Sequence, residues 1–146
     1  MITGEQSREY DAPVEEVWAV IGDVEHHKDW MSVVKAADIR ERDAEGRPLV
    51  IDSENDAKVK TVKVTLRYTY EEGRMVGWKA EKGDLKAMDG SFVLEDAGGG
   101  RSRVTYAMAV DPGRKLGMIM RGPVVDQVRD RVLKGTLDDL QKRLDA

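Results

Sequence analysis

The sequence predicts an α+β fold: a curved antiparallel sheet of about seven strands wrapped around a long C-terminal helix, with two short helices after the first strand. Three observations carry this. Val62, Val64, Leu66, Tyr68 and Tyr70 alternate with Thr61, Lys63, Thr65, Arg67 and Thr69, the period of a strand with one dry face. From Pro123 to Asp145, Val125, Val128, Val132, Leu133, Leu137, Leu140 and Leu144 recur at three- and four-residue steps, while Asp126, Arg129, Asp130, Lys134, Asp138, Gln141, Lys142 and Arg143 occupy the opposite face. The central apolar patterns are joined by connections of a few residues, as antiparallel neighbours are. A half-wet sheet needs a cover, and the amphipathic terminal helix supplies one.

Ile2 to Tyr10 alternates weakly and stops at Asp11-Ala12-Pro13, which reads as a strand followed by a helix entry with Asp11 as the N-cap. Val14, Val17, Trp18 and Ile21 then fall at helical spacing, and Glu15 and Glu16 lie in the first turn, where negative charge suits the helix dipole. Gly22 breaks this helix, and Asp23 opens a second brief turn through His26 and Lys28. Ser32 to Arg42 and Arg47 to Ser53 form a hairpin about the turn at Asp43 to Gly46, with its facing left open. After the strand at Thr61 to Tyr70, Met75 to Lys82 puts Val76, Trp78 and Ala80 on one face. Leu85 to Glu95 does the same with Met88, Gly90, Phe92 and Leu94, and Arg101 to Val110 with Val104, Tyr106, Met108 and Val110. Pro123 suits a helix start, where its missing N–H costs nothing, and the helix from there to Asp145 would run roughly 33 Å.

The length of 146 residues fits one domain able to bury a core or enclose a cavity. Cysteine is absent, which excludes thiol catalysis, disulfides and cysteine-based zinc sites. The first residues carry neither a basic start nor an apolar run, and no stretch of ~18 apolar residues could span a bilayer. The expected location is the cytoplasm. A net charge of −4 with interspersed signs offers no field for nucleic acid and no polybasic membrane anchor. No cofactor is expected.

This order, together with DAPVEEVWAVIGDVEHHKDWM near the start, GWKAEKGDLKAMDGSFVLED in the middle and KGTLDDLQKRLDA at the end, resembles the START-like superfamily. Within it the chain is most similar to the polyketide cyclase/dehydrase and coenzyme-Q-binding group, the SRPBCC proteins. The similarity covers nearly the whole chain and rests on Ala12-Pro13 with Val17-Trp18, then Asp23, Trp30, Gly90 and the final helix, none of them a catalytic signature. It implies a helix-grip fold that holds a hydrophobic ligand between sheet and helix.

The inner faces inferred from periodicity carry Val62, Val64, Leu66, Tyr68, Trp78, Phe92, Tyr106 and Met108, joined by Met118, Met120, Val124, Val128 and Val132 from the closing segment. By burial statistics alone these are core; the resemblance makes them the wall of a ligand site. Methionines suit an adaptable wall, and the Tyr68 and Tyr106 hydroxyls would orient one polar group of a mostly apolar guest. Arg114 and Arg121 flank the methionine-rich segment; they are either solvated or hold a ligand carbonyl or carboxylate. Trp18 and Trp30 read as packing residues. His26 and His27, about 100° apart on a helix, do not make a two-ligand metal site and read as a solvated pair. Asp89 faces away from Phe92 and Leu94, and Gly98 to Gly100 form a loop with no following helix to cradle phosphate. Gly135 sits on the helix stripe, where a close approach by backbone or ligand would explain it, the alternative being a tolerated weak helix residue.

These features lead to a binder of a lipid, isoprenoid or polyketide-like molecule. A polyketide aromatase/cyclase or dehydratase is the alternative, working by holding a flexible chain in a productive fold, with an acyl-carrier protein as partner. An interaction module with a filled core is the third reading.

Overall fold

In a computed structural model, which describes residues 1–57 and 60–146, the N-terminal alternation becomes strand β1 (Ile2–Tyr10), half-buried and exposed by turns. Helix α1 (Val14–Ile21) follows, and it enters from Pro13 rather than through an Asp11 cap. Asp11 lies outside the helix, 88% exposed and 3.6 Å from Arg101, because the extended Pro13 already sets the entry angle. The next segment, Val24–Asp29, is a 3₁₀ helix. Its turn of three residues stacks Val24, His27 and Trp30 on one buried side.

Strands β2 (Val34–Arg42), β3 (Pro48–Asp56), β4 (Thr61–Glu71), β5 (Met75–Gly83), β6 (Ala87–Gly98) and β7 (Arg101–Asp111) complete a seven-stranded antiparallel sheet in the order β1-β7-β6-β5-β4-β3-β2. Every sequential pair from β2 to β7 is a neighbour, as the short connections require. The register shifts once or more in β2/β3, β4/β5 and β6/β7, and irregularities of this kind bend the strands locally. On β4, Val62, Val64, Leu66 and Tyr68 are buried while Lys63 and Arg67 are exposed, as the alternation predicts. A five-residue helix that the sequence pattern did not announce, α2 (Gly113–Gly117), precedes the long helix α3 (Pro123–Asp145), which has Pro123 in its first turn.

Helix α3 lies against the concave face with Val128, Leu133, Thr136, Leu137 and Leu140 inward. Leu137 and Leu140 are fully buried, so truncating either to alanine would cost roughly 2 to 5 kcal/mol. The helix packs tightly on β1 at Gly4, where an added Cβ would stand 2.7 Å from Leu133 Cδ1. Two further ties fix this crossing. The buried Tyr10 hydroxyl donates to Leu137 O at 2.7 Å, and Arg8 pairs with Asp138 at 2.7 Å. On the other flank Asp139 accepts from Ser32 N and Oγ at 2.9 and 2.6 Å, and Arg131 pairs with Asp56 at 2.7 Å. The close approach expected at Gly135 is absent: a Cβ built there meets nothing within 4 Å. Gly4, on the strand, is the glycine that lets helix and sheet meet.

Candidate functional site

Sheet and helix do not close completely on each other, and a cavity of about 110 Å³ remains between them. Leu66, Tyr68, Trp78, Tyr106, Met108, Met120, Val128 and Val132 line it, as expected from the sequence. Val64 and Phe92 are buried in the core but stand off the cavity surface. Phe92 backs the wall by stacking on Tyr106, with centroids 4.7 Å apart. Val124, in the first turn of α3, packs at the margin of the core and does not reach the cavity.

Met118 and Arg121 are corrections to the expected lining. Leu116 and Met120, one turn apart and linked by the Met120 N to Leu116 O hydrogen bond of 2.8 Å, take the two inward positions after β7. Met118 falls between them and points out, 67% exposed. Arg121 is exposed and its Nε donates to Met118 O at 3.2 Å; Arg114 is exposed on α2.

Cross-strand register builds the aromatic part of the wall. Tyr68 faces Trp78, Trp78 faces Gly90 and Gly90 faces Met108 in one row across β4 to β7. The Trp78 ring lies 5.9 Å from Tyr68, 5.6 Å from Phe92 and 6.0 Å from Tyr106, centroid to centroid. Burial pushes the Tyr68 phenol up, with Tyr70 and Tyr106 adding to the rise, so it stays a protonated donor at neutral pH. Its hydroxyl hydrogen-bonds to no described residue. Burial also raises Tyr106, and the neighbouring Thr136 hydroxyl offsets part of this. Thr136 Oγ1 is itself buried and meets no described residue in hydrogen-bonding geometry.

His27 is the main residue the sequence reading misplaced. Only His26 is solvated, with Nδ1 2.7 Å from Asp23 Oδ2. His27 is 5% exposed and forms part of the cavity wall, packed edge-on to Trp30 and Phe92. Its Nε2 stands 2.7 Å from Ile21 O, and because a carbonyl only accepts, that nitrogen carries the proton. Burial pushes its pKa down to about 4 against the Ile21 hydrogen bond and Asp23, so the ring is neutral and Nδ1 is left as an acceptor. The three-residue spacing of Val24, His27 and Trp30 was the available signal; a 100° helical rotation obscured it. Ser53 and Asn55, also missed, share a face of β3 with Ile51 and line the cavity, Asn55 Nδ2 donating to Ser53 Oγ at 3.1 Å. Met31 and Met88 complete a wall in which four methionines meet the aromatic cluster.

Among the described residues no cluster of His, Asp or Glu is arranged to hold a metal, and no helix is long and apolar enough to cross a membrane. Among the described residues the charged members of the cavity lining are Lys28, which is exposed, and Asp56, which pairs with Arg131.

The architecture is that of a START-like helix-grip protein. The chain superposes on a START superfamily protein from Mycobacterium smegmatis with a TM-score of 0.83 at 17% identity, over 98% of this chain and 97% of that one. A protein from Thermus thermophilus gives 0.82 at 18% identity over 97% and 96%. The Zhui aromatase/cyclase from Streptomyces sp. R1128 gives 0.70 at 16% identity over 98% and 93%. At such identities these similarities speak for the fold alone. No curated protein matches the sequence. A family profile does: the chain belongs to the polyketide cyclase / dehydrase and lipid transport family, whose profile matches residues 1–145.

Proposed function

We propose that the protein binds a small hydrophobic molecule in the cavity between the sheet and α3. The observation that carries this is the wall: Trp78, Tyr68, Tyr106, Leu66, Val128 and the methionines surround space that the side chains leave unfilled, with few polar groups set among them. Ligand sites of small molecules have this composition, mostly apolar with a few fixed polar atoms. An interaction module with a filled core has no use for such a space. The test is uptake of an apolar fluorescent probe, followed in the parent and in Val128→Trp, whose indole would occupy the cavity from α3. Saturable uptake abolished in a folded Val128→Trp supports the reading; equal uptake by both places the probe elsewhere.

A second reading, polyketide cyclisation or dehydration with substrate delivered by an acyl-carrier protein, is favoured by one feature. Tyr68 and Tyr106 present protonated phenols to an apolar space, where they would polarise a carbonyl. Cavity size weighs against it. About 110 Å³ is less than the roughly 150 Å³ that takes one benzene, so an extended polyketone requires the wall to open. Tyr106→Phe separates the readings: a binder loses at most about tenfold in affinity, whereas acid–base work by that hydroxyl loses about 10² to 10⁴ in turnover.

A further inference from the structure

The polar atoms of the cavity wall restrict what the guest can be, an inference that rests on the cavity being the ligand site. His27 is 95% removed from solvent and forms part of the wall, and its Nε2–H is committed to Ile21 O at 2.7 Å. A neutral imidazole has one N–H, so Nδ1 must accept, and no described residue donates to it. An acceptor on a mostly apolar wall with no protein donor is left to a ligand group or to water. Among the described residues the wall has no buried cation: Lys28 is exposed, and Asp56 is paired with Arg131 at 2.7 Å. A carboxylate or phosphate would therefore lose its hydration without gaining a counter-charge. Volume adds a further limit: about 110 Å³ lies below the roughly 150 Å³ that takes one benzene, so even a single ring enters only as the flexible methionines of the wall give way, and a larger guest is disfavoured further. Trp78, Tyr68 and Tyr106 with Met31, Met88, Met108 and Met120 give that ring aromatic and thioether neighbours, which favour an aromatic face or edge.

We propose that the cavity selects a neutral monocyclic aromatic alcohol, a phenol, whose O–H donates to His27 Nδ1 while the ring packs among Trp78 and the methionines. The phenol oxygen retains lone pairs that a tyrosine hydroxyl of the wall can satisfy, so donor and acceptor needs of guest and wall match.

Calorimetric titration with 4-methylphenol, toluene and benzoate tests this, with Val128→Trp as the blocked control. The parent protein should bind 4-methylphenol roughly 3- to 10-fold more tightly than toluene after correction for their transfer from water, and benzoate least. In His27→Gln the side-chain amide can keep the bond to Ile21 O while removing Nδ1, and the preference should fall to about 1. In the parent, the ¹⁵N resonance of His27 Nδ1 should move on adding 4-methylphenol and stay in place with toluene; this readout does not depend on the variant folding. Equal corrected affinities, a still Nδ1 resonance or an unaltered preference in His27→Gln would overturn the phenol proposal while leaving an apolar site intact. Failure of every aromatic to bind in a Val128→Trp-sensitive manner would overturn both.

Discussion

The indole of Trp78 occupies the place that a side chain at Gly90 would need: a Cβ built on Gly90 stands 2.3 Å from Trp78 Cε2 and Nε1. The two residues are cross-strand partners, so the glycine lets the ring lie down on β6 and reach Phe92 and Tyr106. Gly90→Ala should force the ring off its seat and destabilise the fold by about 1 to 3 kcal/mol, the usual cost of overpacking. Thermal melts and tryptophan emission check it; an unchanged melt with an unchanged spectrum would remove the glycine from the account of the wall.

His27 gives the fold a pH dependence of defined sign. Its folded pKa, about 4, is below the usual histidine value, because burial opposes the charged form. The unfolded chain therefore binds the extra proton first as pH falls. The contribution is fully present above about pH 6.5 and is lost progressively toward pH 4, a difference of roughly 3 kcal/mol at ~1.4 kcal/mol per pKa unit. Denaturant melts between pH 7 and 4 should show this loss in the parent and a shallower one in His27→Gln. Superimposable pH profiles would contradict the buried neutral imidazole.

Gly135 should behave as a weak point of α3 rather than as a contact. With nothing within 4 Å of a built Cβ, Gly135→Ala gains helix propensity without a clash, about 1 kcal/mol, or roughly 2 to 4 °C in melting temperature. A lower melting temperature would mean that the residue meets something after all.

The fold was largely legible because its two main parts have strong periods. Alternation from Thr61 to Tyr70 set the facing of β4, and the stripe from Val125 to Leu144 identified α3 as its cover. The cavity lining was legible where it lies on those elements, at Leu66, Tyr68, Trp78, Tyr106, Met108, Val128 and Val132. It was not legible where periodicity fails. Between β7 and α3, a five-residue helix and a turn decide that Met120 points in and Met118 out, and no repeat that short fixes a face. His27 was hidden by the difference between 3.6 and 3.0 residues per turn, and Ser53 and Asn55 by being polar on an inward face. Sequence periodicity finds apolar walls; the polar residues set among them break the pattern.

The seven methionines of the chain provide the most direct test of the central claim, that the space between sheet and α3 is a ligand site. Met31, Met88, Met108 and Met120 line the cavity, whereas Met1, Met75 and Met118 do not. With ¹³C-labelled methionine methyl groups, titration with 4-methylphenol or toluene should shift the four cavity resonances together and saturably, through the ring current of the guest, and leave the other three in place. Shifts confined to Met1, Met75 or Met118, or no saturable shift at any cavity methionine, would contradict the account.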